Sequence, residues 1–308
     1  MPGTAITQIP EHYPIEFSTM WEMLTQQKES KLRNSVTIDS KILGKAKKYN
    51  QMGEVEFSPV NFRAQQTQPT DVPLADRWIR PYPHDVTNRF DEWDDDFLGR
   101  IVLPTSDLIQ AHTSAYGRLL DQTILNASVG NAYTGEQGLT PVALPASQRI
   151  VVDYDFSGTP TGTPTQITID KLIAGKGLFG TNEVDEDDPL TLFYNQHAMN
   201  ILLLEARVTN RDFAAFQALM DGTVKYFLGM NWVKTEKLPV DSNGYRNLVI
   251  VSKSGVCLAT SEKVTHMDIL PLYSHALQVR SVTAVGAVRK EEKKVVVIEA
   301  DETAALPS

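Results

Sequence analysis

The spacing of apolar residues changes rhythm several times along the chain, and each change predicts an element. Residues 1–15 carry Pro2, Pro10 and Pro14 with little periodicity, and read as an extended arm ordered by whatever it lies against. Phe17, Met20, Trp21, Leu24 and Leu32 then fall at helical spacing, with Ser18 as a candidate N-cap, and predict a short helix over 17–32. From Ser35 to Phe57 the rhythm moves to two-residue alternation (Val36, Ile38, later Val55, Phe57) punctuated by Gly44 and Gly53, which predicts a pair of strands. Asn61–Pro73 is rich in Gln, Thr and Pro and reads as a loop tip. Trp78–Asp91 is extended again, with Pro81 and Pro83 confining it to a sheet edge. Together 33–91 read as a long projecting hairpin.

Pro104–Ala127 predicts the clearest helix, with Thr105 or Ser106 as its cap. At 100° per residue, Leu108, Ile109, Ala111, His112, Ala115, Tyr116, Leu119, Leu120 and Ile124 fill one arc, and Asp107, Gln110, Ser114, Arg118 and Asp121 the opposite, wet one. Its length, on the order of 33 Å, suits a spine. Gly130–Pro145 is turn-rich, Arg149–Tyr154 predicts a strand, and the Gly/Thr/Pro tract 157–165 marks a domain boundary. Beyond it, helices and strands alternate. A helix over 168–179 is weakened by Gly175 and Gly177, and an acidic loop follows at 183–188. A strand at 190–194 leads to a helix from Gln196, and Thr209–Asp212 resembles a capping box for a helix burying Phe213, Phe216, Leu219 and Met220. Strands follow at 226–232, 248–252 and 255–260. Segments 278–287 and 293–299 read as two antiparallel strands joined through the charged turn Arg289-Lys290-Glu291-Glu292.

With 308 residues, 42% of them hydrophobic, the chain can bury a substantial core. Its net charge of -9 argues against a surface built to grip nucleic-acid phosphates. No apolar run approaches the roughly 20 residues of a membrane span, and the N-terminus lacks the basic start and apolar stretch of a secretory signal. The one cysteine, Cys257, lies in an apolar run and reads as a small core hydrophobe, in keeping with a reducing cytoplasm. Gly175-Lys176-Gly177-Leu178-Phe179-Gly180 matches GxGxxG by letter, but it ends a helix instead of opening one and runs into acidic residues, so no cofactor is expected. The six histidines show no metal-ligand spacing, and His112 reads as a satisfied core histidine. No Gly-x-Ser-x-Gly elbow is present, and no catalytic, cofactor-binding or metal residues are assigned. The run from Asp91 and Glu92 through Asp94, Asp95 and Asp96 could bind a hard cation, but it reads better as a patch for a partner. Lys41, Lys45, Lys47 and Lys48 on the hairpin would face such a patch on a neighbouring copy, so these nine residues are the expected inter-subunit contacts.

The order of parts (arm, projecting hairpin, spine helix, α/β lobe, return to strands) resembles the major capsid protein of tailed bacteriophages, the α+β shell fold of the Hong Kong 97 type. The stretches Phe17–Lys28, Asn131–Gly135 with Val142–Pro145, Asn182–Asp185, Val224–Leu238 and Gly286–Glu299 carry the likeness, over roughly 15–60 and 100–300. The hairpin tip and Val152–Gln166 depart from it. The resemblance implies an arm and short helix over 1–32, an extended loop over 33–91, a peripheral domain over 92–150 and 273–308, and an axial domain over 151–272. It further implies hexamers and pentamers of an icosahedral head, assembled in the host bacterial cytoplasm, that encloses double-stranded DNA without binding it specifically. Partners would be copies of the chain, a portal, a decoration protein and, since the chain starts almost at its arm, a separate scaffolding protein; no membrane is involved. An encapsulin-like compartment shell is the alternative, and a mixed α/β enzyme is a third reading for which the sequence offers no convergent site.

Overall fold

The computed structural model describes residues 26–40, 44–63, 65–66, 69–91, 105–155, 162–204 and 225–304. Two sheets and one long helix organise them. β14 (Ala276–Arg289) is the axis of the first sheet. On one side it pairs antiparallel with β12 (Val256–Thr260) and β13 (Val264–Leu270), and on the other with β4 (Tyr82–Phe90), while β1 (Thr37–Ser40) adds parallel to β12. The second sheet has the order β7 (Arg149–Ile150), β15 (Val295–Ala300), β11 (Arg246–Ser252), β8 (Leu190–Tyr194), β10 (Met230–Lys234), β9 (Tyr226–Phe227). Its central strands are almost wholly buried, as their β-branched runs Val-Val-Val-Ile and Leu-Val-Ile-Val require. Two hairpins, β2 (Lys47–Met52) with β3 (Leu74–Ile79) and β5 (Ala132–Thr134) with β6 (Thr140–Val142), stand apart from these sheets.

The helix α1 (Thr105–Val129) packs on β14, β11 and β12 and so ties the two sheets together. Leu120, Ile124 and Leu125 enter one core with Leu258 and Val285 of the first sheet and Val249, Val251 and Val297 of the second. Ile150 and Ile167, on either side of the Gly/Thr/Pro tract, share this core. On the other face of the first sheet Cys257, Ala259 and Val288 meet Ile79, Ala132, Tyr49 and Val142 from the two hairpins. The alternation along β12, Val256 and Leu258 to one side and Cys257 and Ala259 to the other, is the two-residue period of a strand covered on both faces. Cys257 is thus the core hydrophobe its neighbours in sequence imply. α2 (Ile169–Thr181), capped by Thr168 accepting from the Lys171 N–H, packs on β15, and α3 (Gln196–Leu204) follows β8. Gly175 permits that packing, because a Cβ there would lie 3.0 Å from Ile250 Cδ1 and 3.1 Å from Ile298 Cδ1.

Several expectations are corrected. Residues 26–32 are not helical: the chain crosses α1 and turns through a 3-10 segment at Arg33–Ser35. β1 and β2 do not pair with each other. The strand expected over 226–232 is a tight hairpin, turned by Leu228 (φ 52°) and Gly229 (φ 73°). β7 has two residues where six were expected, and β13 was not foreseen. β14 and β15 lie in different sheets, and Arg289 is the buried end of β14 instead of part of an exposed turn. Asp121 and Ser114, assigned to the wet face of the long helix, are buried. The helix starting at Thr209–Asp212, the first part of the predicted 17–32 helix and the caps of α1 lie outside the described residues or side chains.

Candidate inter-subunit surfaces

The β2–β3 hairpin has a fixed root and a bare tip. At the root, Arg77 donates to both carboxylate oxygens of Glu292 at 2.9 and 2.8 Å. Trp78 Nε1 donates to the Gly135 carbonyl at 2.7 Å, and Asp76 accepts from the Thr134 hydroxyl and from the Gly135 N–H at 2.9 Å. These donors, with Lys48 at 3.1 Å, hold the Asp76 carboxyl well below the usual carboxylate range. Gly138 lets the indole in: its φ is 63°, and a Cβ would sit 2.5 Å from Trp78 Cγ. Past Met52 and Leu74 the hairpin continues to a closing bond from Gly53 N to the Pro73 carbonyl at 2.7 Å. Beyond that bond Val55, Phe57, Val60 and Phe62 are all exposed, Phe57 at 105%. The expected loop tip is polar; the segment leading into it is not.

The basic residues on this hairpin are in large part already paired within the chain. Lys47 bonds to Asp39, which also accepts from the Tyr49 hydroxyl at 2.5 Å, and together these hold Asp39 below its usual range. Lys48 pairs with Asp76, Lys45 is exposed, and Lys41 lies outside the described residues. Asp91 is exposed just past β4, while Glu92, Asp94, Asp95 and Asp96 lie outside the described residues. The structure therefore places Lys47 and Lys48 against acids of β1 and β3 and does not bring them to the Asp91 end of β4.

Three buried polar groups that the sequence did not single out hold the framework behind this hairpin. The Asp121 carboxylate accepts from Gln27 Nε2, Ser30 Oγ (2.6 Å), Lys31 N (3.2 Å) and Leu32 N (3.1 Å) and so straps 27–32 across α1. Arg289 donates to the carbonyls of Ser128 (3.1 Å), Gly130 (2.7 Å) and Val142 (3.0 Å), joining β14 to the end of α1 and to β6. Lys171 Nζ donates to the carbonyls of Val152 (2.7 Å), Thr165 (3.1 Å) and Glu299 (3.1 Å), and burial pushes its pKa down to about 8. None shows a helical or strand period that would betray its burial.

His112 is the satisfied core histidine expected. Its Nδ1 lies 3.0 Å from Ser281 Oγ and its Nε2 2.9 Å from Asn88 Oδ1, so with Asn88 in this orientation Nε2 carries the proton. Burial, with Lys263 nearby, pushes its pKa down. The GxGxxG letters fall inside α2, where helix amides are already bonded and no strand-to-helix turn exists to cradle a phosphate. Asp188 of the acidic loop is engaged with Ser252 and Ser254. No group of three or more His, Cys, Asp or Glu able to hold a metal ion occurs among the described residues, and no helix there is long and apolar enough to cross a membrane.

The fold recurs in solved phage capsids. The chain is similar to the capsid of Ralstonia phage GP4 (TM-score 0.71, 9% identity, 99% of this chain and 100% of that chain) and to that of cyanophage Pam1 (TM-score 0.70, 12% identity, 98% and 100%). It is also similar to that of cyanophage P-SCSP1u (TM-score 0.69, 14% identity, 94% and 93%). At these identities the likeness establishes the mixed α+β fold. No curated protein sequence matches. The family profile described as phage capsid protein matches residues 9–302, nearly the whole length. The chain belongs to the phage capsid protein family, as a major capsid protein of the tailed-phage kind.

Proposed function

We propose that many copies of this chain assemble, as hexamers and pentamers, into an icosahedral head around packaged double-stranded DNA, with no catalytic role. The observation that carries this reading is the β2–β3 hairpin, whose root is bonded to three other elements while its tip exposes Met52, Val55, Phe57, Val60, Phe62 and Leu74. Six large apolar side chains exposed at the end of the hairpin and in the segment that follows it suit a surface that another chain covers. The likeness to capsids of three phages supports a shell of identical copies and the Hong Kong 97 layout. In that layout 33–91 form the extended loop, 92–150 and 273–308 the peripheral domain, and 151–272 the axial domain. The net charge of -9 suits an interior that does not trap phosphates. A portal, a separate scaffolding protein, a decoration protein and assembly in the bacterial cytoplasm belong to the same reading. Lys41 and Lys45 facing Asp91, Glu92, Asp94, Asp95 and Asp96 of a neighbour remain the proposed charged contact, Lys47 and Lys48 sharing their charge with Asp39 and Asp76.

Electron microscopy of the expressed chain, alone and with the products of its neighbouring genes, tests this. Closed shells, and DNA-filled heads in the source particle, are the expected result. A cage filled with protein cargo would move the reading to a compartment shell, and a chain that stays monomeric at high concentration would overturn both.

A further inference from the structure

The chain carries a net charge of -9, yet its cations are not spread evenly. Where the 27–32 strap crosses α1, hydrogen bonds gather four of them. Lys31 Nζ donates to the Lys234 carbonyl at 3.2 Å, and Lys234, the last residue of β10, donates from Nζ to Gln196 Oε1 at 2.5 Å. Lys237 Nζ donates to the Arg118 carbonyl at 3.4 Å, and Arg118 Nη1 donates to Gln26 Oε1 at 2.7 Å. Lys28 and Arg33, both exposed, flank Lys31 along the chain. All of these acceptors are neutral, and among the described residues none of the six cations forms an ion pair. Of the neighbouring carboxylates, Asp121 is buried and occupied by the strap donors, Glu236 accepts from the Gln196 N–H at 3.0 Å, and Glu29 is exposed. The crowding is felt at Lys237, where burial and then the Arg118 charge push the pKa down against the pull of Asp121.

An ammonium group has three donors, and Lys31 and Lys234, both exposed, each spend one on a neutral acceptor, so their charge remains available. Point charges on an exposed face, with few acids to cancel them, suit a repeating anion, and duplex DNA supplies one phosphate charge about every 1.7 Å. The acid excess elsewhere on the chain keeps other surfaces from competing for it. The strap lies on α1, which packs on the Leu258 and Val285 face of the first sheet, whereas the hairpin root packs on the Cys257, Ala259 and Val288 face. One side of that sheet thus carries the root of the tongue and the other the cations. We propose that the face formed by the strap, α1 and the end of β10 contacts the phosphate backbone of double-stranded DNA, without sequence selectivity, through Lys31, Arg118, Lys234 and Lys237. This rests on the shell reading above and names the side of the subunit that meets the genome.

Fluorescence anisotropy of the whole, unassembled chain with labelled duplexes of unrelated sequence tests the contact. With four cations engaged, log K should fall against log salt with a slope of about -3.6, and Lys31→Gln with Lys234→Gln should make it shallower by about 2, whatever the duplex. Lys31→Arg with Lys234→Arg should keep the native slope, and so should Lys253→Gln with Lys293→Gln, two exposed lysines placed elsewhere. If the first pair does not fold, Lys31→Gln alone decides: about 1 off the slope supports the contact, and no change overturns it. A native chain that does not bind DNA at low salt, or a Gln pair with the native slope, overturns the assignment. Tighter binding of poly-glutamate than of the duplex also overturns it and gives the face to an acidic protein. Electron microscopy of the same variants keeps the two readings apart: shells with an unchanged slope overturn the phosphate contact alone. A native chain that forms no shells overturns the shell reading, and this contact with its genome as well.

Discussion

Asp121 has no exposure to solvent, yet its carboxylate gathers four donors from residues 27–32. Removing it leaves the buried Leu32 N–H and the partly buried Lys31 N–H unpaired and releases the strap that carries Leu32 and Val36 into the core. Asp121→Ala is expected to lower the unfolding free energy by about 3 kcal/mol, and Asp121→Asn by less, since an amide oxygen still accepts; urea unfolding of the purified chain measures both. A helical projection puts Asp121 on the wet side because it sees only the helix. The signal that a chain lies there is Gly117, a helix-interior glycine whose Cβ would come within 2.8 Å of Ser30 N. Lys171 carries the second residue-scale expectation. Burial lowers its folded pKa to about 8 from 10.5, so its proton is held less tightly in the folded chain. Stability associated with Lys171 is therefore lowest below pH 8, rises as pH climbs from about 8 to about 10.5, and is level above. The difference in unfolding free energy between the native chain and Lys171→Met should rise across that window by up to about 3 kcal/mol; a difference flat with pH would refute the assignment.

Elements were legible to the extent that their own spacing defines them, and their partners were not. The α1 period is plain, and it spans Thr105–Val129 much as its apolar arc implies. β14 and β15 were seen as strands, but two apolar strands joined by a short charged turn look like a hairpin whatever sheets they enter. Only non-local contacts, to β4 in one case and β7 and β11 in the other, separate them. β13 was missed because its burial follows no two-residue rhythm: it is an exposed edge carrying His266 and Asp268. Arg289 sits at the junction of these elements. Its guanidinium satisfies carbonyls at the end of α1, where the helix leaves its last acceptors open, and stays beside Glu292, which also holds Arg77. Arg289→Leu strands one buried and two partly buried carbonyls and leaves Glu292 with one partner, so a loss of about 3 kcal/mol is expected by urea unfolding. Arg289→Lys should recover only part of this, since one ammonium cannot reproduce a planar fork spread over Ser128, Gly130 and Val142.

At the scale of the molecule, the order of parts was legible, while the exposed apolar residues beyond the hairpin were not singled out. The basic hairpin was visible, but charge alone could not show that Lys47 and Lys48 spend their charge on Asp39 and Asp76, nor that Val55, Phe57, Val60 and Phe62 stand exposed beyond it. The tongue offers a way to test folding and assembly separately. Gly53 N bonds to the Pro73 carbonyl, closing the ladder before the exposed segment begins, while every root contact, from Tyr49 and Asp76 to Arg77 and Trp78, lies on the other side of that bond. Excising 54–72 and bridging Gly53 to Pro73 with an Asn-Gly turn removes no buried side chain among the described residues and, by shortening a loop, slightly lowers the entropy cost of closing it. Stability should therefore stay within about 1 kcal/mol of the native chain, with unchanged circular dichroism, while shells no longer form under conditions where the intact chain assembles. Loss of folding would mean that the tip contributes to its own subunit. Normal shells would mean that copies meet through other surfaces, and the bare strip from Val55 to Phe62 would then need another occupant.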